Sequence, residues 1–106
     1  MKDRIWLSFD LGFGGDQEGM YRWLTAHGAR ECGPALATLR YAYQEDLVAE
    51  LKEDLASALD LHPGDRVYLI YKDPYDGEVT GLFIFGRRAV RQDAAIHEPQ
   101  ALTRLH

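Results

Sequence analysis

Apolar and polar residues alternate from the start of the chain. Ile5, Leu7 and Phe9 take every second place with Trp6, Ser8 and Asp10 between them, the two-residue period of a strand whose successive side chains point to opposite sides. An apolar Trp6 on the second side predicts that both sides are covered, as in a central strand. The run breaks at Gly12-Phe13-Gly14-Gly15, a sharp turn, and Asp16 beyond it is placed to cap a helix by accepting a backbone N–H. Met20, Trp23, Leu24 and His27 recur at three- and four-residue spacing and predict that helix, which Gly28 ends in the left-handed conformation.

Two strands should flank the Gly33-Pro34 turn: a short one over Ala29–Cys32 and a longer one over Leu36–Tyr43. In the longer one Ala37, Leu39, Tyr41 and Tyr43 form one face, and Leu36, Thr38, Arg40 and Ala42 the other. Leu47, Leu51, Leu55, Ala58 and Leu59 then make a helical stripe that stops near Leu61, because His62 precedes Pro63. Val67–Tyr71 and Val79–Phe85, joined by Asp73-Pro74-Tyr75-Asp76-Gly77, read as a hairpin. From Arg88 to His106 neither period holds, so residues 1–87 are expected to form the domain and 88–106 a loosely ordered C-terminal tail.

The predicted order is strand, helix, strand, strand, helix, strand, strand. Its first six elements make the βαββαβ unit of ferredoxin-like α+β domains, with two helices on one face of an antiparallel sheet and an additional C-terminal strand. That last strand either lengthens its own sheet or pairs with a second copy. Two helices cover only one sheet face, while Trp6 and several Tyr and Phe side chains suggest apolar character on both. A homodimer is therefore expected, with Trp6, Tyr41, Tyr43, Val79, Leu82, Phe83, Ile84 and Phe85 at its interface.

Composition narrows the class. With 106 residues and 46% hydrophobic content the chain supports one core, and these figures argue against disorder. No apolar run reaches the roughly 18 residues of a membrane span, and no export segment is recognisable at Met1-Lys2-Asp3-Arg4. The single cysteine, Cys32, has no partner for an internal disulfide, which points to a reducing, cytoplasmic setting. Residues 1–86 hold eight bases and fifteen acids. Read by segment they show no basic cluster, so nucleic-acid binding is disfavoured and a protein partner for an acidic surface is expected instead.

The Ser8-Phe9-Asp10-Leu11 strand end, the Leu24–Gly28 helix end, the paired strands over 29–43 and the acidic helix over 45–60 together resemble the small ferredoxin-like subunit of CRISPR spacer acquisition and its relative, virulence-associated protein D. The likeness spans about residues 4 to 86, mostly as pattern. It implies that Asp10, with its copy in a second protomer, would hold Mg²⁺ or Mn²⁺ for cleavage of RNA or DNA. Where that group carries basic residues after the aspartate, this chain has Gly-Phe-Gly-Gly followed by Asp16 and Glu18.

The candidate chemistry is sparse. Asp10 ends a strand at a glycine-rich turn and, with Asp16, is the candidate metal-binding pair; the alternative role for Asp10 is bonding the amides of its own turn. Gly12-x-Gly14-Gly15 lacks the full G-x-G-x-x-G spacing, and Asp16 and Glu18 oppose a phosphate there. Trp6, Trp23, Tyr41, Tyr43, Tyr68 and Tyr71, with Arg40 and Lys72 among them, offer a surface on which unpaired bases can stack. Three functions follow: a homodimeric interaction module without catalysis, a weak metal-dependent nuclease using Asp10, and single-stranded RNA binding by sheet aromatics.

Overall fold

The structure, a computed structural model, describes residues 1–87. The tail expected over 88–106 lies outside the described residues. Strand β1 (Lys2–Asp10) leads to helix α1 (Gln17–Ala26), then β2 (Arg30–Gly33), β3 (Leu36–Ala42), helix α2 (Leu47–Ala58), β4 (Arg66–Lys72) and β5 (Val79–Phe85). The five strands form one antiparallel sheet in the order β2-β3-β1-β4-β5, so β1 is central, as its alternation indicates.

Both helices begin as their sequences direct. Asp16 accepts the Gly19 N–H at 2.9 Å and Asp46 the Ala49 N–H at 3.2 Å, each supplying an acceptor to a first-turn amide that has no partner inside its helix. Glu50 reaches back from α2 to take the N–H groups of Asp46, Gln44 and Glu45 at 2.8 to 2.9 Å, and these bonds hold its carboxyl below the usual range. Helix α1 stops at Gly28, whose φ of 68° few side chains tolerate. Asp16 also accepts the Asp60 N–H at 2.9 Å, pinning the end of the α2 segment to the start of α1.

Helices α1 and α2 cover one side of the sheet. Ile5, Leu7, Leu39, Leu69 and Val67 point into it and are at most 1% exposed, closed from above by Met20, Leu24, Leu51 and Leu55. Tyr41 and Tyr43 lie on this same side, buried among the helices, because they share the parity of Ala37 and Leu39. They are core residues, not part of an exposed interface. The Tyr41 hydroxyl donates to Asp54 at 3.0 Å, and burial together with that bond raises its phenol. The Tyr43 hydroxyl donates to Asp3, a bond that, with burial, pushes it up to about 12.

Strand β5 pairs with β4 of its own chain from Val67↔Phe85 to Lys72↔Val79. The register shifts between Val67 and Tyr68, leaving Ile84 unpaired beside Phe85. Through that bulge Leu82, Ile84 and Phe85 all turn to the helix side: Ile84 is buried, Leu82 and Phe85 pack on the core, and the Lys52 ammonium of α2 stands 5.9 Å from the Phe85 ring centre. Of the expected interface set, Trp6, Phe83 and Val79 remain on the side without helices. No helix among the described residues is long and apolar enough to cross a membrane.

Candidate functional site

The side of the sheet that no helix covers is laid out by register alone. Leu36, Ser8, Tyr68 and Phe83 form one row across β3, β1, β4 and β5. The next row holds Arg30, Thr38, Trp6, Ile70 and Gly81. Beyond it Arg40 stands directly across from Arg4, and Lys72 flanks Arg4 one place past the Ile5–Tyr71 pair. Neighbouring strands are about 4.8 Å apart, so three cations sit side by side. Lys2 follows on β1, and Arg66 lies at the opposite end beside Asp10.

Charge is thus segregated by the fold. Of the eight bases in residues 1–86, six (Lys2, Arg4, Arg30, Arg40, Arg66 and Lys72) stand on the open side, and the strands place a single acid there, Asp10. Other acids lie on the helices, as Glu18, Glu50, Glu53 and Asp54, in loops, or, as Asp3 and Glu31, at strand positions that share the helix-side parity of Tyr41 and Ala37. Among the described residues the acid partner of Arg66 is Asp10, whereas Arg4, Arg40 and Lys72 have no carboxylate within 4 Å. Arg4 turns to the Thr38 hydroxyl at 3.4 Å and Arg40 to the Lys2 carbonyl at 3.3 Å. Like charges directly across a strand pair oppose folding, so packing gives no reason for this row.

Beside the cations lies an apolar platform. Trp6, Leu36, Tyr68, Ile70 and Phe83 are half-buried. Tyr68 and Phe83 meet edge to face at 4.8 Å. Tyr68 also lies across Gly81, where a Cβ would come within 2.4 Å of its hydroxyl, so only glycine admits this ring position. At the Trp6 end a groove of about 330 Å³ opens between Trp6, Arg4 and Lys72 on one side and Asp73, Pro74 and Gly77 of the β4–β5 loop on the other.

The expected metal pair does not converge. The Asp10 carboxylate is gripped by Arg66 and accepts the Gly12 N–H at 3.4 Å, and these partners hold its pKa below the ordinary value, the Arg66 bond contributing most. Asp16 has both oxygens on backbone amides, of Asp60 and of Gly19, which lowers its pKa in the same way. Among the described residues no three His, Cys, Asp or Glu side chains group as metal ligands. The glycine-rich turn leaves Phe13 wholly exposed and closes on itself, Gly15 N–H donating to Gly12 O at 3.2 Å.

Of the six aromatics expected as a stacking surface, the sheet brings Trp6 and Tyr68 to the open side. Tyr41, Tyr43 and Tyr71 lie on the helix side, and Trp23 belongs to α1 itself, where it is buried and stacks on His27 at 3.9 Å. Phe83 joins the platform instead. Reading charge by segment missed the cation row; reading it by strand parity finds it, because Lys2, Arg4, Arg40 and Lys72 all occupy the polar places of alternating runs. Compared with protein-family models, curated proteins and solved structures, the chain finds no match in any of the three.

Proposed function

We propose that the open sheet face binds single-stranded RNA, the bases stacking on Trp6, Tyr68 and Phe83 and the phosphates running along Arg40, Arg4 and Lys72. The observation that carries this reading is the row of three cations that have no acid partner among the described residues, one row away from Trp6. Aromatic stacking contributes about 1–3 kcal/mol per base and is indifferent to sequence, and lysines and arginines supply a salt-dependent attraction to phosphate. The strand order and two helices on one face support reading residues 1–87 as a ferredoxin-like domain extended by β5, a sheet form that offers such a face.

A homodimeric module joined through the same face is the competing reading. The half-buried Trp6, Leu36, Ile70 and Phe83 favour it, since a second copy would cover them. The cation row weighs against it, because a second copy packed over this face would bury Arg4, Arg40 and Lys72 against a surface whose one strand acid among the described residues, Asp10, is already held by Arg66. The nuclease reading through Asp10 draws no support from a carboxylate held by Arg66.

Fluorescence polarisation with a labelled uridine hexamer tests the proposal. Binding should weaken with salt, log Kd against log salt rising with a slope of about 2 to 4 for three to five phosphate contacts. No binding at 50 mM salt, with a dimer by sedimentation, would instead establish the self-associating module. Cleavage that needs Mg²⁺ and vanishes in Asp10→Ala would establish the nuclease.

A further inference from the structure

Resting on the RNA-binding reading above, we propose that the groove between Trp6 and the β4–β5 loop is a base-selecting subsite and that it takes guanine. The groove combines the Trp6 ring, two cations and two aspartates, Asp73 and Asp3. Its volume of about 330 Å³ falls at the small end of the range of about 300–1,000 Å³ for ligand clefts, room for one nucleotide.

One carboxylate sets the choice of base. Asp73 lines the groove just after β4, next to Lys72, and among the described residues it has no cation within 4 Å. It is held in place. Its Oδ1 accepts the Tyr75 N–H at 2.7 Å, its own N–H donates to Glu78 O at 2.8 Å and its carbonyl accepts from Gly77 N–H at 2.8 Å. An ionised carboxylate has about four acceptor positions, so most remain open, Oδ2 among them. The Asp3 carboxylate, also at the groove, already receives the Tyr43 hydroxyl.

Only guanine presents two adjacent donors, N1–H and the N2 amino group, on its pairing edge. Adenine and cytosine place an acceptor nitrogen beside their amino group, and uracil places a carbonyl on each side of its N3–H. Each of these sets a lone pair against the carboxylate. Guanine alone satisfies Asp73 while its ring lies on Trp6 and its flanking phosphates meet Arg4 and Lys72.

Polarisation titrations with a labelled uridine hexamer, with the same hexamer carrying one central guanosine, and with inosine in that place test the subsite. The guanosine oligomer should bind about tenfold tighter than the uridine one, within the discrimination a two-bond contact gives, and inosine, which lacks the N2 amino group, should fall between. Asp73→Asn, whose amide oxygen still accepts from Tyr75, should erase the guanosine advantage and leave uridine binding unchanged, while Asp73→Glu retains a preference. Equal binding of all three oligomers by the native protein, or a guanosine advantage that survives Asp73→Asn, overturns the subsite and leaves RNA binding standing. Failure of every oligomer to bind overturns both.

Discussion

The two sides of the sheet are made by the same strands and obey opposite rules. On the helix side the inward places of β1, β3 and β4 are apolar almost without exception, and Ile5, Leu7 and Leu69 are closed off from water. On the open side the same strands mix aromatic rings with Lys2, Arg4, Arg40 and Lys72. Packing explains the first side completely. It does not explain the second, where adjacent cations oppose folding; a surface that is unfavourable to the fold points to something outside the fold that it serves.

Substitutions should separate the sides. The largest effect belongs to the helix side: Leu7→Ala should lower stability by about 2–5 kcal/mol in urea unfolding, through lost transfer energy and a residual cavity. Ile70→Ser, one strand away on the open side, should lower it by much less; equal losses would mean that the open side is core too and would end the contrast. Trp6→Ala comes next. It should weaken the uridine hexamer by about 1–3 kcal/mol in polarisation titrations, the contribution of one stacked base.

Replacing Arg4, Arg40 and Lys72 together by Thr sharpens the comparison in two directions at once. The salt slope of binding should fall by about 2, because three phosphates are no longer neutralised and each accounts for about 0.7, while the urea midpoint rises slightly as cross-strand repulsion disappears. A loss of stability would show that the cations serve the fold. The smallest effect concerns acid. Arg66 and the Gly12 amide favour the ionised form of Asp10, whose ordinary pKa is 3.8, so its contribution is fully present above that value and is lost as pH falls through the lowered one. The advantage of the native protein over Asp10→Asn in thermal midpoint should therefore hold from pH 6 to about pH 4 and shrink as the pH falls toward 2.

Much of this architecture was legible in the chain. The alternation at Ile5, Leu7 and Phe9 marks β1, the spacing of Leu47, Leu51 and Leu55 marks α2, and Asp16 and Gly28 mark the two ends of α1, because each is a local rule with a local cause. The site was less legible. Alternation groups Tyr41 and Tyr43 with Leu39 but does not say which side the helices take, so rings that belong to the core read equally well as an interface. The bulge opposite Val67 turns both Ile84 and Phe85 inward, and nothing in Val79–Phe85 announces the extra residue. The Arg40–Arg4–Lys72 row exists only once three strands distant in sequence are aligned, and counting charges by segment averages it away.

The sheet also has two unlike rims. Strand β2 spans four residues and breaks register between Glu31 and Gly33, a poor template for any newcomer. Strand β5 runs for seven residues as Val-Thr-Gly-Leu-Phe-Ile-Phe, without a charge or a proline to deter one. Among the described residues nothing lies outside it. Growth by strand addition is therefore one-sided: two molecules meeting at β5 would leave only blunt β2 margins outward, and the stack would end at a pair instead of lengthening into a fibre.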